Sequence, residues 1–187
     1  MKRSLKQWLV GSAALLFMSV CFTLSGCDTH PPAIPLSEMR VTSVLTPSQQ
    51  QRLLSQIKSA GVQVVQQGTR LQLFLPKDKF FSGQTTTLRY QQITCLRLIA
   101  LYLHNYGRNH VVHYPIKVYA FTGTVHTRQY RQADSIQLAQ VIASYLWNHG
   151  FNPNQMSVLG QGAKNPIASY RTPIGNAYNN YVLIQVN

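Results

Sequence analysis

The hydrophobic positions of this chain follow two different spacings between residues 46 and 187. Apolar residues recur every three or four positions, as in amphipathic helices, in the stretches 46–60, 85–106 and 128–149. They alternate with polar residues or form short apolar runs, as in strands, at 62–66, 70–75, 116–121, 156–159 and 181–186. The predicted order, α-ββ-α-β-α-β-β, indicates an α+β domain in which a short helix precedes the sheet.

The first predicted helix has sequence signals at both ends. Thr46 can cap it, Pro47 suits its first position, and Gln49 completes a capping box. Gly61 is expected to end it, because glycine readily adopts the left-handed conformation found after helix ends. The residues expected on its buried face are Leu53, Leu54, Ile57 and Ala60.

The two longer helices are each predicted to bury one apolar stripe. Gly107 and Gly150 are expected to end them, and Pro76 to Gly83 is predicted to be a loop. The expected inward residues are Leu88, Gln92, Cys95, Ile99 and Tyr102 or Leu103 in the first, and Ile136, Ala139, Ala143, Leu146 and Trp147 in the second.

The N-terminus has the layout of a secretion signal. Lys2, Arg3 and Lys6 precede an uncharged, mostly apolar run of 16 residues from Leu9 to Leu24, shorter than the roughly 20 residues that span a bilayer as a helix. The sequence Leu24-Ser25-Gly26-Cys27 then resembles the lipobox of bacterial lipoproteins. That resemblance implies a signal peptide at 1–26, acylation of Cys27, and stable membrane attachment through the acyl chains. Residues 27–45, with Pro31, Pro32 and Pro35, are predicted to form a flexible tether.

The charge balance is strongly basic, with 17 Lys and Arg against four Asp and Glu. Three of the basic residues lie in the predicted signal, so the mature chain would carry about +10. Such a charge attracts polyanions in general. Because the chain is predicted to be secreted, we expect no nucleic-acid partner. Anionic membrane surfaces, acidic cell-wall polymers and acidic proteins fit the compartment better.

The side chains that enzymes use are largely missing. The four carboxylates are Asp28, Glu38, Asp78 and Asp134, and they form no pair suited to acid–base chemistry. Cys95 lies in an apolar stripe and is expected to be a buried, unreactive thiol. The sequence therefore predicts neither an enzyme nor a cofactor.

Two short patterns resemble binding sites but lack the residues that such sites need. Gly160-Gln161-Gly162 follows a strand but lacks the third glycine and the following helix of a dinucleotide site, so a loop is predicted. His104, His110 and His113 lack the spacing of zinc ligands, so no metal site is predicted.

Several short sequence motifs after residue 61 occur at the spacing of a single domain pattern. Leu71 to Pro76 is a strand followed by Phe80-Phe81, and Phe121-Thr122-Gly123 ends a later strand. The further matching positions are Tyr130, Ser135, Ala139, Ile142, Tyr145, Leu146, Gly150, Gly160, Gly162, Pro166, Thr172, Gly175, Ala177, Asn179, Val182 and Ile184. In this pattern residues 61–187 resemble the OmpA-like (OmpA/MotB C-terminal) domain. The resemblance implies a βαβαββ sandwich of a mixed sheet with helices on one face, with the domain at 46–187.

The resemblance also implies a ligand cleft. Family members bind peptidoglycan by gripping the diaminopimelate of its stem peptide, with an aspartate on the ammonium and an arginine on a carboxylate. Here Gly123 stands at the aspartate position and Leu138 at the arginine position, and the family's final Asn-Arg-Arg is replaced by 179–181. Hydrogen bonds to charged groups contribute about 1.5–3 kcal/mol each, so ordinary diaminopimelate recognition is not expected. The cleft positions implied for this chain are Thr122, Gly123, Tyr130, Leu138 and Asn179.

Two functions remain open at this point. The chain resembles the small OmpA-like lipoproteins of type IVB (Dot/Icm) secretion systems, which implies a structural part of an envelope complex with other envelope proteins and lipoproteins as partners. Alternatively, it tethers a membrane to peptidoglycan through other residues, or touches the wall only through salt-sensitive attraction to its positive charge. The outer membrane is the expected location, with the domain in the periplasm. The inner membrane is the alternative, because Asp28 follows Cys27.

Overall fold

The structure is a computed structural model and describes residues 44–83, 85–109 and 115–187. The predicted signal peptide, the acylation site at Cys27 and nearly all of the predicted tether lie outside these residues. The helices are α1 (Pro47–Ser59), α2 (Lys77–Phe80), α3 (Tyr90–Asn109), α4 (Arg128–Trp147) and α5 (Pro173–Tyr178), with a 3-10 turn at Pro153–Gln155. The strands are β1 (Gln63–Gln67), β2 (Arg70–Pro76), β3 (Ile116–Phe121), β4 (Met156–Gly162) and β5 (Tyr181–Val186).

The strands form one mixed sheet in the order β1-β2-β5-β3-β4. Strands β3 and β4 are parallel, and the other neighbouring pairs are antiparallel. The last strand therefore lies in the middle of the sheet, which brings the segment just before it beside the end of β3. The predicted α+β fold, with a mixed sheet and a short helix before it, is confirmed.

The main core lies between one face of the sheet and helices α1, α3 and α4. Alternate residues of β2 point into it, as strand geometry requires, and Leu71, Leu73 and Leu75 are fully buried. The opposite face carries a smaller cluster in which Phe121, Tyr181 and Leu183 are buried, with Phe74 and Tyr119 packed against them.

The first helix is built as its sequence indicates. Thr46 accepts from the backbone N–H of Gln49, while the Gln49 side chain accepts from the backbone N–H of Thr46, so the predicted capping box is confirmed. Leu53 and Ile57 are buried, and Gly61 after the helix has a φ of +91°, which glycine adopts without strain.

Four details of the predicted elements are wrong. Helix α3 starts at Tyr90 rather than near residue 85, because Leu88 is held in an antiparallel bridge with Phe81. It also continues through Gly107 to Asn109. The predicted loop after Pro76 contains the short helix α2, and the short helix α5 was not predicted at all.

A further error concerns the direction of a side chain on α4. Ile136 was expected to face inward but is 38% exposed. The neighbouring Ser135 is fully buried instead, because α4 meets β4 at this point and leaves no room for a larger side chain.

Candidate functional site

An open cavity of about 390 Å³ lies where the end of β3, the start of α4 and helix α2 meet. Among its lining residues are Lys77, Thr122, Gly123, Tyr130, Asp134 and Asn180. We call it the cleft. Three of the five predicted cleft positions, Thr122, Gly123 and Tyr130, therefore line it.

The chain's own amide side chains fix the loop after β3. The Gly123 N–H donates to Asn180 Oδ1 at 2.7 Å, and the Thr124 N–H donates to Asn176 Oδ1 at 2.8 Å. A Cβ atom added at Gly123 would overlap the Asn176 carboxamide. The space that a side chain would need at position 123 is thus taken by Asn176.

Thr122 and Tyr130 have different roles at the cleft. Thr122 is buried, and its N–H donates to the Gly162 carbonyl at 2.9 Å, which joins the loop to the end of β4. Tyr130 is 48% exposed at the rim, with its ring 4.5 Å from the His126 ring between centroids. Of these two side chains, only Tyr130 is open to a partner.

The other two predicted positions are structural. Leu138 is completely buried in the main core and does not line the cleft. Asn179 is also buried: its Oδ1 accepts from the N–H groups of Ile167 and Ala168, and its Nδ2 donates to the Ala168 carbonyl. This side chain holds the loop before α5 in place.

A buried ion pair forms part of the cleft wall. Lys77 Nζ lies 2.8 Å from Asp134 Oδ2, and the two side chains are 9% and 11% exposed. Sequence reasoning missed the pair because the residues are 57 positions apart and their meeting depends on how α4 packs on the sheet. The available signal was that Asp134 lies on the same helix stripe as Leu138, an unusual place for an unpaired carboxylate.

Other charged side chains line the same cleft. Asp78 is exposed, and Arg131 is half-buried with Nη1 donating to the Thr124 carbonyl at 3.2 Å. A guanidinium has five N–H donors, so this one bond leaves Arg131 with donors for another acceptor.

The contact between α4 and β4 explains why two glycines occupy the end of β4. Ser135 Oγ accepts from the Gly162 N–H at 3.0 Å, and Gln132 Nε2 donates to the Gly160 carbonyl at 2.7 Å. A Cβ atom at Gly160 would lie 2.5 Å from the Ile136 backbone nitrogen. The Gly160-Gln161-Gly162 segment therefore lets the strand approach the helix, and it is part of a strand rather than the predicted loop.

A model of the OmpA family matches residues 80–180, more than half of the chain. The chain belongs to the OmpA family. The family's Thr-x-x-Gly phrase is the cap of α5, where the Gly175 N–H donates to Thr172 Oγ1 at 3.0 Å.

One characterised relative is the probable lipoprotein YiaD of Escherichia coli (strain K12), which is 27% identical over 139 residues. The match covers 74% of this chain and 61% of that protein, so the chain spans about three fifths of that relative's length.

Solved structures share the fold at low identity. The cell wall anchor of the T6SS from Pseudomonas aeruginosa has a TM-score of 0.60 at 23% identity, covering 72% of this chain and 94% of that one. The periplasmic domain of Helicobacter pylori MotB (residues 78–256) has a TM-score of 0.57 at 22% identity, covering 68% and 82%.

A second cavity of about 400 Å³ lies beside the cleft, on the aromatic face of the sheet. It shares Asp78 and Asn180 with the cleft, and Ile167, Ile174 and Tyr178 form much of its apolar lining. These three side chains are exposed. Together they define what we call the α5 surface.

The described part of the chain offers little metal chemistry and no membrane span. Within 44–83, 85–109 and 115–187, no three His, Cys, Asp or Glu side chains could hold a metal ion together. His104 Nε2 donates to the His149 carbonyl at 2.9 Å, while His110 and His113 lie outside the described residues. None of the described helices is long and apolar enough to cross a bilayer.

Proposed function

We propose that this chain is a structural, membrane-anchored lipoprotein of a type IVB (Dot/Icm-like) secretion-system envelope complex, in which the OmpA-family domain serves assembly. In this proposal Cys27 carries the acyl chains in the outer membrane and the domain lies in the periplasm. Asp28 keeps the periplasmic face of the inner membrane as the alternative location.

The observation that carries the proposal is that the chain's own uncharged groups occupy the two positions at which the family is expected to carry its ligand-binding charges. The Asn176 carboxamide fills the space beside Gly123, where the family has its aspartate. Leu138, at the arginine position, is buried in the core. Lys77 and Asp134 satisfy each other's charge. The cleft therefore lacks the two separate charges with which the family grips diaminopimelate.

Two likenesses support the secretion-system role. The layout of lipobox, tether and small OmpA-like domain is similar to that of the Dot/Icm lipoprotein DotK (IcmN). The Pseudomonas aeruginosa protein with the same fold is described as the cell wall anchor of a type VI secretion system, so OmpA-type domains do serve secretion machines.

The α5 surface is the better candidate for partner contact. At the end of β3, Phe121 and Thr122 are both buried, and the Phe121 ring stacks on the Tyr181 ring with centroids 4.6 Å apart. Ile174 and Tyr178 project instead, at 72% and 62% exposure. Because the mature chain would carry a net charge of about +10, we infer a protein partner that offers apolar side chains within an acidic rim.

Peptidoglycan tethering is the second candidate function, and one observation favours it. Arg131 and Asp78 place a guanidinium and a carboxylate on the cleft wall at positions different from the family's. A zwitterionic ligand could be gripped by such a pair through charge-assisted hydrogen bonds.

Two measurements on the same bacterium separate the candidates. Envelopes are cross-linked and the full chain is purified in mild detergent; the proposal expects type IVB envelope proteins and lipoproteins to co-purify, and export to fail in a deletion strain. The purified chain is also sedimented with peptidoglycan sacculi across a salt series, where no binding, or binding lost towards 1 M salt, is expected. Binding that persists at high salt and is competed by free stem peptide, without co-purification, overturns the proposal in favour of the tether.

A further inference from the structure

The cleft wall contains a carboxylate whose surroundings match an ammonium-binding site. Asp134 is nearly nine-tenths buried, and among the described residues its side chain accepts one hydrogen bond, from Lys77. A carboxylate has about four acceptor positions, so the bond from Lys77 leaves further positions for another donor. The cavity beside the pair is open to solvent.

We propose that Asp134 is a binding site for a primary ammonium group, and that Lys77 occupies it as the chain's own ligand. The lysine is well placed for this role because its backbone is pinned on both sides. The Lys77 N–H donates to the Asn180 carbonyl at 2.9 Å, and the Phe81 N–H donates to the Lys77 carbonyl at 2.9 Å. The four-carbon stem of Lys77 then extends to α4, where Nζ meets Asp134 Oδ2.

The other charges near Asp134 do not take the place of Lys77. Arg131 lies one turn earlier on α4, but the hydrogen bond it makes is to the Thr124 carbonyl. His126 lines the cleft and contacts Tyr130 rather than Asp134. Among the described residues, Lys77 and Asp134 accordingly form the one salt bridge found.

Competition between internal and external ligands explains why the native cleft would ignore free amines. A group held by a short tether has an effective concentration of about millimolar or higher, so free amines at lower concentrations do not displace it. Removing the lysine side chain beyond Cβ leaves a space that matches n-propylammonium in length and donors. The inference does not rest on the proposed function, since it concerns the chain before any partner binds.

The test uses the full chain in detergent with Lys77→Ala, and n-propylammonium chloride as the probe. We expect the thermal midpoint to fall on substitution and to recover by about 3 °C or more at 100 mM probe, relative to equal sodium chloride or tetramethylammonium chloride. Lys79→Ala, an exposed lysine two positions along, should show neither loss nor recovery. Lys77→Ala with Asp134→Asn should lose the recovery because the carboxylate is gone.

Equal midpoints in all three salts would overturn the proposal, as would equal recovery in the Asp134→Asn background. If Lys77→Ala does not fold alone, its refolding yield becomes the readout. The yield should rise with n-propylammonium but not with tetramethylammonium, and a yield that is the same in both overturns the proposal. Neither result depends on whether the chain binds sacculi or a secretion complex.

Discussion

Lys77 Nζ and Asp134 Oδ2 are 2.8 Å apart in the wall of the cleft. The lysine opens α2 directly after β2, and the aspartate lies in the second turn of α4. Each charge is thus held by a different element, and their pairing ties the sheet to the helix. Because both side chains are nearly nine-tenths buried, solvent screens the pair much less than a surface ion pair.

The first prediction concerns the cost of breaking this pair. Asp134→Asn leaves the Lys77 ammonium buried without a counter-charge, which in proteins costs about 3–5 kcal/mol of unfolding free energy. Asp78→Asn, an exposed carboxylate on the same cleft, should change it by less than about 0.5 kcal/mol. Urea unfolding followed by circular dichroism measures both. Equal losses of unfolding free energy in the two variants would show that the buried pair stabilises the fold no more than an exposed carboxylate does.

The same pair predicts a compensating double substitution. Replacing Lys77 by Met and Asp134 by Leu removes both charges while keeping similar volume, and such replacements are often neutral or stabilising. We expect the double variant to be more stable than either single one in the same urea experiment. Additive losses would contradict this expectation.

The second prediction compares two glycines with opposite environments. Gly160→Ala should destabilise the domain by about 1–3 kcal/mol, because the new methyl group collides with the α4 backbone at Ile136. Gly107→Ala lies in α3 with nothing within 4 Å of the added Cβ, and should stabilise the domain by up to about 1 kcal/mol. Urea midpoints of the two variants, measured side by side, check the signs. A stabilising Gly160→Ala would mean that α4 can move away from β4.

The third prediction is that the family's charges cannot simply be restored. Gly123→Asp displaces the Asn176 carboxamide, and Leu138→Arg places a cation in the fully buried core. We expect the double variant to gain no sacculus binding and to lose several kcal/mol of stability, since unpaired buried charges are costly. Leu138→Met, which conserves volume, should cost less than about 1.5 kcal/mol. Sacculus binding by the double variant that free stem peptide competes away would show that the cleft is intact beneath these groups.

The sequence predicted the helices and strands that carry their own periodicity and caps. Strands β3 and β5 begin and end where the pattern places them, and the α1 capping box is formed by residues three positions apart. Helix α5 escaped prediction because it is short and depends on its neighbours: Gly175 packs so closely on the Ser169 carbonyl that no side chain would fit. Hydrophobic periodicity within so short a segment does not predict a helix, because the helix depends on contacts with its neighbours.

The candidate site was predicted less well than the fold, for a related reason. The frame of family residues located the cleft at Thr122, Gly123 and Tyr130, which do line it. It could not show that Leu138 faces the core or that Lys77 reaches Asp134, because both facts depend on the rotation of α4 against the sheet. The family motif therefore predicted where the cleft lies, but it did not predict which contacts the side chains at the motif positions make.

The fourth prediction is a loss of stability at alkaline pH. Burial raises the pKa of Cys95 from 9.0 to about 12, and burial, followed by the nearby Tyr170, raises the pKa of Tyr181 from 10.0 to about 12. The folded chain then holds protons that the unfolded chain releases, so the unfolding free energy falls between about pH 9 and pH 12. Each group contributes at most about 1.4 kcal/mol per pH unit in that window and nothing below it.

Urea titrations at pH 8, 9, 10 and 11 measure this fall. Cys95→Ala should flatten it from pH 9 upward, whereas Tyr181→Phe should flatten it only from about pH 10. Tyr90→Phe, at an exposed tyrosine, serves as the control and should leave the profile unchanged. A stability that stays level from pH 8 to pH 11 would contradict the burial of both groups.

The last prediction tests whether the α5 surface is where partners dock. Tyr178→Ala and Ile174→Asp remove exposed apolar groups from that surface, and contacts with a partner should be lost while the fold is kept. Tyr90→Ala is the matched control, since Tyr90 is 87% exposed at the start of α3, outside both cavities.

The measurement is the amount of envelope protein co-purified with each variant after cross-linking. Urea midpoints should confirm that the surface substitutions change the unfolding free energy by no more than about 0.5 kcal/mol relative to the parent. Co-purification that falls at least tenfold for the α5 variants but not for Tyr90→Ala, equivalent to about 1.4 kcal/mol of binding free energy, places the partner there. Equal co-purification by all three would move the search to the cleft rim at Val125 and Tyr130, the next exposed apolar group beside the α5 surface.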